Sequence, residues 1–467
     1  MQASVRGLKT NKMKIFTKTV LALVATVAVA GQAFAGGPMT NTNQSASFLR
    51  SLARGTSLDP DAVYNNPAGT VFMADGWHIG INDQMAAQTR KTVSSLSMDS
   101  KIGGFADTEF EGGVTSLVIP SVHFAWKHNR LAVMAGLGVN GGGGTIEYNN
   151  GLASFERIIS SFPALIAQNS GGMYVPAGYA RNLYLKGSSM TLAFNVGAAY
   201  RITDWLSAAA MVRVGVTSNS YEAALNGLEF NIGGNMMPAA NLLAGSDYAA
   251  LVDQSLDVKQ KGVSVSPVVA LAFHKDKWDA SIKYEFKMAT ELKNETAADI
   301  DLGTGGMFPN GEKVKSETPA LLAAAVSRHF GPVKVTAEWH HYFDKNAKNS
   351  FSPVIKGNTN EYLMGAEWSI SDRWLVSAGA QRTQLNMDEK LYSDMNFSIS
   401  SWSVGAGLAF LCTDNIRLNL GVMPTFYDEV TNEGEHSFGD AKLGQFKDVY
   451  NRTSMAWGVG LDFKFGK

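Results

Sequence analysis

The amino-acid sequence predicts an all-β fold, an antiparallel transmembrane β-barrel of about fourteen strands preceded by a separate N-terminal element. Three observations lead there. From Trp77 to the C-terminus the chain falls into short segments that alternate apolar and polar residues, the period of a strand with two different faces. The segments are joined alternately by tight turns and by longer loops. After residue 35 no stretch is long and apolar enough for a spanning helix, so a closed barrel is the remaining way to satisfy the backbone in lipid.

The strands are expected at 77–94, 113–126, 131–145, 187–201, 206–218, 259–274 and 278–292, then at 315–328, 332–344, 359–371, 374–386, 397–411, 415–427 and 452–466. The clearest places Trp278, Ala280, Ile282, Tyr284, Phe286 and Met288 on one side and Asp279, Ser281, Lys283, Glu285 and Lys287 on the other. The last strand sets Met455, Trp457, Val459, Leu461, Phe463 and Phe465 against Ala456, Gly458, Gly460, Asp462 and Lys464. Short connections such as Lys127 to Arg130, Ile202 to Trp205 and Ser371 to Arg373 alternate with loops, the longest at 146–186 and 219–258. In outer-membrane barrels the short turns face the periplasm and the long loops face out, which orients the chain. A soluble sandwich alternates as well, but needs neither this short–long order nor an export signal.

Ahead of the barrel, Lys12, Lys14 and Lys18, the apolar run from Val20 to Ala30, and Ala33-Phe34-Ala35 have the order of a secretory signal, placing a cleaved signal peptide at 1–35. Residues 36–76 do not alternate and are rich in turn formers, as in Asp59-Pro60-Asp61 and Asn65-Asn66-Pro67-Ala68-Gly69. This element has two places to go, the periplasm or the lumen of the barrel at 77–467. Charged residues are 17% of the chain and the formal net charge is −1, which argues against a nucleic-acid partner. The single cysteine, Cys412, excludes an intrachain disulfide and dithiol chemistry. No cofactor or metal motif is present, and the 8 histidines show no nucleophile pattern of a lipid-hydrolysing enzyme.

Asn43-Gln44-Ser45-Ala46-Ser47, followed by Asp61-Ala62-Val63-Tyr64-Asn65-Asn66-Pro67-Ala68-Gly69, resembles the N-terminal hatch, with its Asn-Pro-Ala motif, of the FadL-type outer-membrane transporters of long-chain fatty acids and other hydrophobic compounds. Gly197 to Trp205, Lys283 to Phe286 and Gly458 to Phe465 have the same family look, so the resemblance covers nearly the whole mature chain. It implies a hatch at 36–76 plugging the lumen, location in a bacterial outer membrane, and passive uptake rather than catalysis. It also implies a monomer among outer-membrane lipid and lipopolysaccharide, with a hydrophobic ligand such as a fatty acid or hydrocarbon. Gly466 and Lys467 follow the terminal aromatic, where many such barrels end on the aromatic itself. A porin for polar solutes is the alternative reading, and an outer-membrane lipid hydrolase a more distant one.

The breaks in the pattern supply the candidate site. Asn66, Pro67 and Ala68 are the expected gate of the hatch. Gly141, Gly142, Gly143 and Gly144 in the third strand lose side-chain packing and mark a bulge, a kink or a loop start. By resemblance, they are the kink that opens the wall sideways. The loops at 219–258 and 293–314 carry Leu228, Phe230, Met236, Met237, Leu242, Leu243, Met307 and Phe308, expected either as an exposed outer groove or as loop elements packed on one another. Arg213, Lys283, Lys287 and Arg417 fall on expected lumen faces as possible partners of a ligand carboxylate. Glu338, His340 and Tyr342 share one polar face and should line the lumen together.

Overall fold

The computed structural model describes residues 44–244, 254–299, 308–349, 352–394, 397–438 and 441–466. The signal segment and Met307 lie outside these. The barrel is a closed antiparallel sheet of 14 strands. In chain order these are β1 (Gly76–Met98), β2 (Phe105–His128), β3 (Leu131–Tyr148), β4 (Tyr179–Arg201), β5 (Leu206–Ile232) and β6 (Gln254–Lys275). β7 runs as Trp278–Glu285 and Glu291–Ala298, and β8 as Lys313–Lys315 and Leu321–Phe330. They are followed by β9 (Val333–Tyr342), β10 (Thr359–Ser369), β11 (Trp374–Gln384) and β12 (Ser401–Thr413). β13 runs as Ile416–Tyr427 and Val430–Phe438, and β14 is Ala441–Phe465. β1 closes the barrel on β14 in one unbroken register, from Trp77 opposite Phe465 to Met98 opposite Gly444. Closure leaves neither the first nor the last strand as a free edge, as lipid requires.

The outer surface is apolar where lipid would sit. Val263, Val265, Val269 and Leu271 of β6 point outward and are exposed, while Ser264, Ser266, Val268 and Ala270 point in and are buried. At the turn end Trp77, Trp205, Trp278, Trp368 and Trp374 form an exposed aromatic ring, and Tyr362, Trp402 and Phe426 lie further toward the loop end. Such girdles belong at the two membrane–water interfaces, where an amphipathic ring keeps one edge wet.

Several strands are longer at their loop ends than the alternation implied. β5 continues past 218 to Ile232 and turns through Asn235–Pro238, so Leu228 and Phe230 are strand residues. Likewise Glu291–Ala298 extends a strand into the stretch expected as a loop. β7 also breaks after Glu285, and the register of pairing to β6 slips by one residue beyond the break. A one-residue slip exchanges the two faces. Met288 therefore lies inside, 3% exposed, instead of on the lipid side, and Lys287 is exposed.

The hatch fills the turn half of the lumen. Helix α1 (Ala46–Ser51) is capped by Ser45, whose hydroxyl accepts from the Phe48 amide at 3.0 Å. Helix α2 (Ala62–Asn65) leads into the 3-10 turn Pro67–Phe72. α1 lies on a floor of glycines: Gly365, Gly379 and Gly405 stand opposite one another on β10, β11 and β12, and Gly407, Gly421 and Gly458 do the same on β12, β13 and β14. A Cβ at Gly379 would come within 2.0 Å of the Ser51 carbonyl oxygen, one at Gly405 within 2.4 Å of the Leu49 oxygen, and one at Gly421 within 2.6 Å of the Ala46 oxygen. The wall is smooth there because the helix backbone rests on it. Gly379→Ala should therefore loosen the hatch by about 1–3 kcal/mol. A protease-sensitive hatch on a barrel that keeps its heat-modifiable gel mobility is the expected result; a hatch as resistant as wild type would contradict this packing.

Candidate functional site

The hatch is fixed to the wall by a buried ionic lattice. Arg50 donates to Glu367 at 2.6 Å and to the Ser377 hydroxyl at 3.0 Å. Arg54 reaches Glu367, Asp59 and Asp61 at 3.0, 2.8 and 2.8 Å. Arg50 lies in the last turn of α1 and Arg54 in the segment after its left-handed cap at Leu52, and both reach Glu367. Burial alone would push the Asp61 carboxyl up, but the Arg54 charge and hydrogen bonds from Arg54 and Ser57 outweigh it and hold the group below its ordinary 3.8. Asp59 is lowered in the same way, against burial, by Arg417 and Arg54. Further along the same part of the wall, on β9 and β10, Glu338 accepts from the Gly55 amide at 2.7 Å, and His340 bridges Glu338 and Glu361 at 2.7 and 2.9 Å. Glu338, His340 and Tyr342 do line the lumen together, but carboxylates engage both ring nitrogens of His340, and no metal-holding group occurs among the described residues.

Asn66, Pro67 and Ala68 are buried at the turn end of the hatch. The Asn66 side chain caps the 3-10 turn, accepting from the Gly69 amide at 3.2 Å and donating to the Ser57 carbonyl at 3.1 Å. Pro67 opens that turn, where its missing N–H costs nothing. Ala68 accepts from the Ser207 hydroxyl of β5 at 2.6 Å and packs with Val63, Val71 and small residues of β2 to β6.

The glycine run lies where the wall is irregular. Gly142 and Gly143 have φ of +69° and +110°, and pairing to β4 shifts register on each side of them. Between Gly113 opposite Glu147 and Ser121 opposite Gly138, β2 and β3 share no paired residues. Leu117 and Val118 on this free stretch are strongly exposed. Hatch groups meet the strands beside it: Gln44 donates to the Val139 carbonyl at 3.2 Å, its own carbonyl accepts from Ser121, and the Tyr64 hydroxyl donates to Asn140 at 3.0 Å. The Ser116 hydroxyl spans the gap to the Gly143 carbonyl at 2.7 Å.

The outer apolar residues are corrected toward packing. Leu228, Phe230 and Leu243 are buried against Ile159 and Phe162 of helices α3 (Ala153–Ile159) and α4 (Phe162–Asn169), with Leu242 half-buried at the edge. Phe308 is buried beside Tyr221. Met236 is exposed and Met237 half-buried. Helix α3 is tied to β14 by Arg157 to Asp448 at 2.6 Å and to the segment between β11 and β12 by Ser154 to Asp394 at 2.8 Å. Ser161 and His436 come within 2.7 Å, but Ser161 donates to the Arg157 carbonyl and is fully buried, the arrangement of a structural contact.

The four cations expected for a ligand carboxylate each meet a carboxylate of the chain. Arg213 pairs with Glu285, Lys283 with Glu285 at 2.7 Å, Lys287 with Glu317 at 2.7 Å and Arg417 with Asp59 at 2.7 Å. Only Arg213 and Lys283 lie deep in the lumen, flanking the Tyr64 ring of the hatch.

Among solved structures, a Pseudomonas aeruginosa FadL homologue matches 92% of this chain and 100% of its own at a TM-score of 0.64 and 16% identity. The fold is that of a FadL-type barrel. The toluene transporters TbuX of Ralstonia pickettii and TodX of P. putida are similar across 91% and 88% of this chain, and 98% and 95% of theirs. Their TM-scores are 0.52 and 0.55 and their identities 14% and 13%. Neither a known protein-family profile nor a curated protein matches the sequence. The sequence reading missed Arg50, Arg54 and Glu367, although two arginines four apart just before Asp59 and Asp61 were a visible signal.

Because the native Asp61 carboxyl lies below its unfolded value, its contribution is complete above about pH 4 and is lost only as the pH falls further. Hydrogen-exchange protection of residues 46–51 should hold from neutral pH to about pH 4 and fall beneath it. Loss of protection between pH 7 and 5 would show that this carboxylate does not hold the hatch. Arg54→Met, which leaves Asp61 buried without its main counter-charge and Asp59 with Arg417 in place of two arginines, should cost the hatch about 3–5 kcal/mol in the same measurement.

Proposed function

We propose that the chain is an outer-membrane transporter for passive uptake of long-chain fatty acids or other hydrophobic compounds. The observation that carries this reading is the combination of a lumen filled by a hatch with a side wall left unpaired between β2 and β3. A polar solute needs a continuous wet channel, and the buried hatch occupies the place where it would run. A hydrophobic solute gains by leaving through the wall into lipid, since burial against apolar surface is its driving force. On this reading, ligand in the lumen displaces the segment around Asn66, Pro67 and Ala68, releases the Gln44 and Tyr64 contacts to β3, and leaves beside the bulge at Gly141 to Gly144. The half-exposed Met236 and Met237 and the apolar loop clusters would be the first surface met from outside. The likeness to the FadL homologue and to two toluene transporters is consistent with this class of cargo.

Proteoliposomes provide the test. Wild-type barrels should take up a labelled fatty acid or toluene while excluding sugars in a swelling assay; sugar entry without hydrophobic uptake would favour a porin. Replacing Gly142 and Gly143 by valine, which L side chains disfavour at positive φ, should reduce uptake about tenfold or more in a folded barrel. Uptake at the wild-type rate would remove the lateral exit.

A further inference from the structure

One outward-facing row at the turn end crosses β6, β7 and β8 at Lys275, Trp278 and Arg328, each directly opposite the next. All three are exposed, and Trp278 belongs to the aromatic ring at the turn-end interface. The Arg328 guanidinium stands against two ring faces, 4.9 Å from the centre of Trp278 and 4.9 Å from that of Phe330. Stacking of this kind fixes the plane of the fork and leaves its N–H edge free to donate. Other cations of this rim are engaged within the chain: Lys127 meets Asp75, and Arg130 meets Asp204 at 3.5 Å. Arg328, Lys275 and Lys277 meet no carboxylate at ion-pair distance among the described residues.

One step nearer the middle of the membrane, Phe273, Ala280 and Val326 stand opposite one another on the same outward face. The small Ala280 side chain between two larger ones leaves a hollow of 330 Å³ that Lys275 and Trp278 border on the water side. Arg328 lies at its edge, two residues along β8 from Val326 and so on the same face. Of the two carboxylates that border the hollow, Asp279 is buried, accepting from Ser327 at 3.0 Å and meeting His274 and His329 at 2.5 and 3.2 Å. The other, Asp276, stands exposed in the turn against three cations. Beyond the hollow, Leu271 and Ile282 continue an exposed apolar path toward the middle of the wall.

An apolar hollow with cations at its water edge matches a lipid at the interface, phosphate at the rim and acyl chain below. Short turns put this rim in the periplasmic leaflet, where the lipid is phospholipid and not lipopolysaccharide. A head with its own ammonium would add a fourth cation, whereas a head with net negative charge offsets the three already there. We propose that Arg328, with Lys275 and Trp278, seats one anionic phospholipid of the periplasmic leaflet, its phosphate on the Arg328 fork and an acyl chain over Ala280. Such a seat lies on the outer wall and goes beyond the uptake reading, standing whether or not the lumen carries hydrophobic cargo.

Native mass spectrometry tests this on the purified full-length barrel with wild-type heat-modifiable mobility, released from micelles holding equal phosphatidylglycerol and phosphatidylethanolamine of the same acyl chains. Wild type should retain phosphatidylglycerol in preference. Arg328→Gln should cut that preference about fivefold, the scale of one basic residue at an anionic lipid surface. Arg328→Lys, which keeps the charge and loses the planar fork, should restore part of it. Ala280→Leu, which fills the hollow from the lipid side, should weaken retention of both lipids, and Arg373→Gln, which removes a rim charge outside the hollow, should change neither. Glycerol 3-phosphate, a head without chains, should not displace the lipid. No preference in wild type, an unchanged preference in Arg328→Gln, an equal loss in Arg373→Gln, full retention in Ala280→Leu, or displacement by glycerol 3-phosphate would each overturn the proposal.

Discussion

A barrel with lipid outside must settle every charge in its lumen from within, and the buried arginines of the hatch show how this chain does it. Arg50 and Arg54 stand inside a closed wall, where each isolated guanidinium would be costly. The wall supplies Glu367 and the hatch supplies Asp59 and Asp61, so the ionic contacts that make the arginines tolerable also fix the plug's position. A buried lattice of this kind adds little net stability over an apolar filling, yet breaking one partner is expensive. It therefore specifies where the hatch sits more than it strengthens the fold. The Glu338–His340–Glu361 bridge, which receives the Gly55 amide, extends the same logic along β9 and β10.

Backbone contact sets the other half of the hatch's position. Two glycine rows let α1 approach β10 to β14 at main-chain distance, and the alanine-rich inner faces of β2 to β6 receive Val63, Ala68 and Val71. Charge fixes the register of the plug and small residues fix its depth. The numerous glycines of the chain thus follow from a helix lying on a sheet inside a narrow lumen. Their spacing along the strands is the period of the inner face, as in Gly405 with Gly407 and Gly458 with Gly460.

The wall was largely legible in the sequence because period-2 patterning reports the difference between lipid and lumen at every residue. It stopped being legible where that difference ends. Beyond the membrane both faces of a strand meet protein or water, so β5 ran on to Ile232 and β7 past its break without an alternation to follow. The slip after Glu285, which turned Met288 inward, leaves no compositional trace either, since a bulge is a matter of one backbone residue. The choice of lumen cations failed for a different reason. Arg213, Lys283 and Arg417 face inward as their positions require, but periodicity says nothing of which carboxylate stands opposite after the barrel closes. Closure brings β1 against β14, so a pair such as Arg90 and Arg452, far apart in sequence, becomes visible only in register.

Satisfied and unsatisfied positions therefore divide the molecule. The turn half of the lumen is closed, with helix on glycine and arginine on carboxylate. Among the described residues one departure from that economy lies in the wall itself. Backbone pairing is missing between β2 and β3, where Gln44, Tyr64 and Ser116 side chains stand in for part of the ladder. Contacts of a few side chains can be exchanged far more cheaply than a run of strand hydrogen bonds, so the wall is weakest where the hatch touches it. The seam between β2 and β3 is thus held by hatch and side-chain contacts that can be exchanged one at a time, where the rest of the wall is held by a continuous ladder.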